Sequence, residues 1–170
     1  METLLIMRHA KSSWDNATLS DDQRPLNKRG KRVAPLMGAF LASQNLVPDR
    51  IVSSTAKRAH QTAKLMAAAM ASKETLGSEI ELVDELYLPS TSTWKRVIAE
   101  HESASRVLMI GHNPGIEELV SAVTGDYERM PTAAIACFSV GPDSESSLER
   151  RLKLQALWRP KELDLSEFEA

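Results

Sequence analysis

The chain has 170 residues, 42% of them hydrophobic and 26% charged, which are the proportions of one ordinary globular domain with its own core. A balance of 21 Lys and Arg against 23 Asp and Glu gives a net charge of −2, so there is no electrostatic case for nucleic acid or an anionic membrane as a partner. The single cysteine, Cys137, rules out a disulfide framework or a cysteine-based zinc site, and the lack of a membrane-length apolar run or a secretion signal makes the cytoplasm the expected location.

The first element is the run Leu4-Leu5-Ile6-Met7, which ends abruptly in Arg8-His9. Four apolar residues in a row predict a strand buried on both faces, and a parallel strand of that kind delivers its next residues to the ligand-binding edge of an open sheet. Lys11 to Arg24 is polar and reads as a loop. Asn27 is placed to cap a helix carrying Val33, Leu36, Met37, Phe40 and Leu41, which Pro35 is expected to kink or split. Arg50 to Ser53 predicts a second strand. Ser54 or Thr55 is expected to cap a helix over roughly Ala56 to Ala71, with its stripe at Ala59, Ala63, Met66 and Met70.

A polar loop from Ser72 to Glu79 leads to a third strand, Ile80 to Val83, ending at Asp84-Glu85. Pro89 to His101 reads as a helix with Trp94, Val97 and Ile98 on one face. Arg106 to Ile110 repeats the pattern of the first strand and ends in Gly111-His112-Asn113-Pro114-Gly115, with Pro114 suited to the first position of a helix. Two late strands, Ala133 to Val140 and Leu152 to Trp158, are expected to form an antiparallel hairpin. The expectation is an α/β fold of three layers with a mostly parallel central sheet. One domain covers residues 1–160, followed by a loosely held acidic tail over 161–170.

The residues that follow each strand form a chemical set. If the strands are parallel, Arg8, His9, Arg58, Glu85 and His112 converge on one edge. Guanidinium groups pair with phosphate oxygens in bidentate fashion and hold their charge at any working pH. Arg58, near a helix start, would be joined by free backbone N–H groups. A neutral imidazole at His9 can attack phosphorus through one nitrogen while its other N–H is held by an acceptor such as a backbone carbonyl. Arg8, Arg58 and His112 would stabilise charge on the transferring group, and Glu85 is the best-placed acid for the leaving group. No metal constellation or nucleotide-phosphate loop stands out, so no cofactor is expected.

These segments resemble the motifs of the histidine phosphatase (phosphoglycerate mutase-like) superfamily. Leu5-Ile6-Met7-Arg8-His9-Ala10 resembles its Arg-His-Gly signature, the stretch from Ser53 to Ala63 its second-arginine motif, and Gly111 to Gly115 its second-histidine motif. Arg24-Pro25-Leu26 with Gly30, and the late strand from Met130 to Ser139, are similar to the small SixA-like phosphohistidine phosphatases. The resemblance implies a phosphoglycerate mutase-like fold. It also implies His9 as nucleophile, Arg8, Arg58 and His112 as the phosphate pocket, and Ser12 and Asp15 as further phosphate-side contacts. One departure stands out: Ala10 replaces the usual glycine.

Several readings stay open at this level. Arg24 is either a pocket residue or a salt-bridge partner of Asp21 or Asp22. His60 and His101 read as surface or packing residues. Trp14 could line the mouth of the site, whereas Trp94 and Trp158 read as packing. With core elements filling nearly the whole chain, the site should be shallow and open to a phosphorylated side chain on another protein. The alternatives are a small-molecule phosphomonoesterase or mutase of the same superfamily, and a non-catalytic module that binds a phosphorylated ligand.

Overall fold

Leu4, Leu5, Ile6 and Met7 have no exposed surface, as their uninterrupted apolar run requires. They belong to β1 (Thr3–Arg8) in a computed structural model that describes residues 1–71, 79–142 and 147–169. Strand alternation sends Leu5 and Met7 to one face of the sheet and Leu4 and Ile6 to the other. On the first face they meet Val33, Met37 and Leu41 of α1 (Lys28–Ser43) and Ala59, Ala63 and Met66 of α2 (Lys57–Met70). On the second they meet Trp94, Val97 and Ile98 of α3 (Thr91–Glu100) and Ile116, Leu119 and Val120 of α4 (Gly115–Thr124). The architecture is therefore the expected three-layer αβα sandwich.

The remaining strands are β2 (Arg50–Ser54), β3 (Ile80–Val83), β4 (Arg106–Gly111), β5 (Ile135–Val140) and β6 (Leu152–Trp158). The sheet runs β3-β2-β4-β1-β5-β6. β1, β2, β3 and β4 pair in parallel, while β5 is antiparallel to both β1 and β6. Arg8 lies opposite Gly111, so His9 and His112 leave neighbouring strands at the same level. Ser53 is paired with Ile110, which brings the β2 end beside them.

Four local readings need correction. Pro35 does not split α1, which runs unbroken for 16 residues. Ala34, Leu36 and Met37 are buried around it, and that packing outweighs the one missing backbone bond. Neither Ser54 nor Thr55 caps α2; Ala56 stands at that position. The Ser54 hydroxyl accepts from the Ala56 N–H at 3.2 Å, and Thr55 instead donates to Asp84 at 2.6 Å. A short helix, α5 (Leu148–Arg151), precedes β6. The C-terminal segment is not loose: Leu163, Leu165 and Phe168 pack on the first core, and the Phe168 ring lies 6.3 Å from that of Phe40. The polar loop expected between Ser72 and Glu79 falls almost wholly outside the described residues, as does part of the turn before β6. Among the described residues, no helix is long and apolar enough to cross a membrane.

The Arg24-Pro25-Leu26 segment acts as a brace for the loop after β1. Ser13 N–H donates to the Pro25 carbonyl at 2.8 Å, Asn27 N–H donates to the Lys11 carbonyl at 3.0 Å, and the Asn27 side chain caps α1 by accepting from Gly30 N–H. Gly30 lies so close to Lys11 that an added Cβ would run into the Lys11 carbonyl oxygen. Backbone cannot yield as a flexible side-chain tip can. Gly30→Ala is expected to cost about 1–3 kcal/mol. Thermal unfolding checks this, with a fall of about 2–4 °C per kcal/mol at this chain length.

Candidate active site

Arg8, His9, Arg58 and His112 do converge at the C-terminal edge of the parallel strands, where they line one cleft of about 320 Å³. The His9 and His112 ring centroids are 4.8 Å apart. Arg58 joins them from the first turn of α2. Its Nε–H donates to His9 Nε2 at 3.2 Å, and its Nη2 lies 3.3 Å from His112 Nδ1.

The partners settle the tautomers. His9 Nδ1 is 2.7 Å from the Ala10 carbonyl, so it carries the proton and leaves the Nε2 lone pair to accept from Arg58 Nε–H. Arg58 can only donate, so His112 Nδ1 is the acceptor and the proton sits on Nε2, 2.9 Å from the Ser54 hydroxyl. Burial pushes the His9 imidazole down to about 3; the Arg58 and Arg8 charges act in the same direction, against the Ala10 bond. Burial likewise takes His112 down to about 3, helped by His9 and Arg58. Both rings are neutral at physiological pH, and a neutral imidazole is a competent nucleophile.

Ala10 is compatible with this geometry. It is buried and does not take the left-handed conformation that would call for glycine. Its N–H donates to the Thr62 hydroxyl at 3.1 Å, tying the loop after β1 to α2. The strained residue is instead Ala133, with φ of 65°. Its N–H is shared between the carbonyls of Arg8 (3.0 Å) and His9 (3.2 Å), which fixes the end of β1. A left-handed alanine costs on the order of 1 kcal/mol, and no pattern in the chain marks this position in advance.

Of the other expected residues, Ser12 lines the cleft, and its hydroxyl accepts from Arg24 Nη2 at 2.9 Å. Arg24 fulfils both of its readings: it lines the cleft and pairs with Asp21 at 2.8 Å. Asp15 is exposed and bonded to the Ser13 hydroxyl at 2.7 Å, away from the cleft lining. Glu85 is not brought to the cleft either. It lies in a 3₁₀ turn, Asp84–Leu86, that follows β3, with its side chain 61% exposed and 2.6 Å from Arg96. His60 is half-buried outside the cleft, and His101 is a packing residue bonded to the Val97 carbonyl at 2.7 Å. Trp94 is fully buried in the second core, whereas Trp14 does line the mouth.

Sequence reasoning missed the part played by Asp21. It is the only carboxylate among the described cleft-lining residues. Its Oδ2 accepts from Arg58 Nη2 at 2.9 Å and from the Tyr87 hydroxyl at 2.7 Å, and its backbone carbonyl accepts from Arg58 Nη1 at 2.5 Å. The Tyr87 bond above all, then those from Arg58 and Arg24, hold the carboxyl down at about 2. The neighbouring Asp21-Asp22 pair in a polar loop offered the only hint.

The family model for the histidine phosphatase superfamily (branch 1) matches residues 4–87, which include the first histidine and the second arginine of the cleft. Over this segment the chain is similar to members of that superfamily. An uncharacterized chloroplastic protein of Arabidopsis thaliana is 31% identical over 143 residues, covering 78% of this chain; the match spans 64% of the plant protein's length. A SixA structure from Agrobacterium tumefaciens is 26% identical, with a TM-score of 0.78 over 94% of this chain and 99% of that one. The protein histidine phosphatase SixA complexed with tungstate is 25% identical, with a TM-score of 0.80 over 95% and 99% of the two chains. Family and neighbours together support phosphatase activity for this chain.

The neutral imidazoles tie stability to pH. Each takes a proton near 6.5 when unfolded but only near 3 in the fold. The unfolded chain therefore binds more protons in that window, and stability falls as pH drops from about 6.5 toward 3, by up to about 1.4 kcal/mol per pH unit for each ring. Half-buried His60, also lowered by burial, adds a smaller share in the same direction. Thermal melts between pH 7 and 5 should show this slope, and His112→Asn should flatten it. An equal slope in the variant would mean that the ring is already charged in the folded protein.

Proposed function

We propose that this protein is a phosphohistidine phosphatase acting on phosphorylated protein through a covalent intermediate on His9. An arriving phosphoryl group draws the Arg58 N–H groups onto its oxygens, which frees the His9 Nε2 lone pair to attack phosphorus as the bond to the substrate nitrogen breaks. Water then attacks the same phosphorus, the P–Nε2 bond breaks, and orthophosphate leaves. Arg8 and Arg58 contact the phosphoryl oxygens throughout, stabilising charge spread over them in the in-line transfer, and His112 joins them as a donor once the bound dianion draws a proton onto Nδ1. Ser12 supports this pocket through Arg24. The tungstate complex of SixA supports a tetrahedral-oxyanion site in a neighbour of the same fold.

The observation that carries the substrate class is the lack of a protonated carboxyl group facing the cleft among the described residues. Glu85 is turned to Arg96, and Asp21 is held ionised. An alkoxide is a poor leaving group and needs an acid beside it. Imidazole leaves neutral once its ring is protonated by solvent, so a P–N bond breaks without one. The absence of an acid thus favours phosphohistidine over phosphoserine or a sugar phosphate.

His9→Ala is expected to lower turnover of a phosphohistidine peptide by at least about 10³-fold and to abolish covalent labelling by radioactive substrate. Loss of labelling separates an enzyme from a binding module. Glu85→Gln should leave turnover of that peptide within about twofold, whereas a catalytic acid would cost 10²- to 10⁴-fold. Wild-type protein should hydrolyse the phosphohistidine peptide far faster than a phosphoserine peptide of the same sequence. The reverse order would reassign the enzyme to phosphomonoesters.

A further inference from the structure

A second cleft, of about 530 Å³, adjoins the first, and Arg8, Lys11 and Thr132 form part of both. Its other walls carry Arg29, Arg129, Arg159 and Lys161. Six cations thus face one carboxylate, Glu162, which is taken by Arg159 at 3.5 Å. Arg159 also binds Glu128 at 2.8 Å. Lys11, Arg29, Arg129 and Lys161 are exposed, and the described residues give none of them a side-chain hydrogen bond or an ion pair. In a chain of net charge −2 this concentration is not a consequence of composition. The cations come from the loop after β1, the first turn of α1, the loop before β5 and the segment after β6, and only the fold collects them. Like charges held together without counterions repel one another, and the positive charge of Arg129 acts on Arg8 itself.

The wall of the catalytic cleft that is not shared with this groove has the opposite character. Trp14 and Leu88 line it and are 73% and 74% exposed. Trp14 is fixed in place by the Arg24 guanidinium, which lies 3.2 Å from its ring centroid. A small polyphosphate has no use for an exposed indole and an exposed leucine. A protein surface has, if its phosphorylated side chain is bordered by apolar residues on one flank and acidic residues on the other.

We propose that the groove formed by Lys11, Arg29, Arg129 and Lys161 docks acidic residues flanking the phosphorylated side chain of a protein substrate. This rests on the phosphohistidine reading above and adds a selectivity to it. The groove contributes binding and orientation outside the phosphate pocket, so its loss raises KM and leaves the chemical step alone.

Two synthetic phosphohistidine peptides test this, one flanked by four glutamates and one by four lysines, with p-nitrophenyl phosphate as a substrate too small to reach the groove. Wild-type protein should favour the acidic peptide by at least about tenfold in kcat/KM at low ionic strength, through KM, and added salt should shrink the ratio. Arg29→Glu combined with Lys161→Glu should erase or reverse the preference while p-nitrophenyl phosphate turnover stays unchanged. Equal rates on the two peptides, or a preference that survives the double substitution, would overturn the docking site and leave the phosphohistidine reading standing. Turnover of p-nitrophenyl phosphate with neither peptide hydrolysed would overturn both. If the double variant lost only its inhibition by inorganic tripolyphosphate, with peptide preference intact, the groove would be a small-polyanion subsite and the proposal would fail.

Discussion

The Arg58 guanidinium organises this site. It is 6% exposed, yet nearly all of its hydrogen-bonding capacity is used: Nε on His9, Nη1 on the Asp21 carbonyl, Nη2 on the Asp21 carboxylate and beside His112. A buried cation is tolerated only when its donors are met by well-placed acceptors. Two of those acceptors are imidazole lone pairs, which ties the charge of Arg58 to the neutrality of both rings. Protonating either ring would set a second positive charge against it in a poorly hydrated site. The neutrality of the nucleophile and the affinity for phosphate therefore have one origin.

The scaffold supplies the rigidity this needs. β1 is flanked by β4 and β5, and its end is held further by the Ala133 N–H on the carbonyls of Arg8 and His9. His112 leaves the adjacent strand at the same level and rests on Ser54, whose hydroxyl also accepts from the Ala56 N–H at the head of α2. One hydroxyl thus links the second histidine to the helix that carries Arg58. His9 and His112 follow strands that are paired on both sides, and Arg58 sits in the first turn of a helix tied to them, the condition for holding a reactive geometry.

Much of this was legible in the chain. The run from Leu4 to Met7 carried the two-sided burial, and the repeated pattern at Arg106 to Ile110 carried its partner strand, because continuous apolar residues have few other places to go. The charged residues directly after those strands were legible for the same reason. Glu85 was not, because a residue just past a strand can be turned either way by one tight turn, and the 3₁₀ turn at Asp84–Leu86 directs it toward Arg96. Asp21 opens a short 3₁₀ turn, Asp21–Gln23, that no periodicity announces, and its role depends on contacts with Arg58 and Tyr87, 37 and 66 residues away. The C-terminal segment read as a tail by composition, whereas its packing depends on three apolar side chains spaced among acids. The basic groove was invisible for a related reason: its members belong to separate segments, and the net charge conceals them.

The carboxylate of Asp21 has a bearing on how a catalytic cycle would close. An arriving phosphoryl group must take Arg58 from an anion that is already bound, so weakly held anions such as chloride gain little by entering. Departure is the mirror image. As orthophosphate withdraws, the carboxylate of a short exposed turn can return to the guanidinium at once, and the cation is never left bare in a desolvated site. An internal counterion of this kind trades some ground-state affinity for easier emptying.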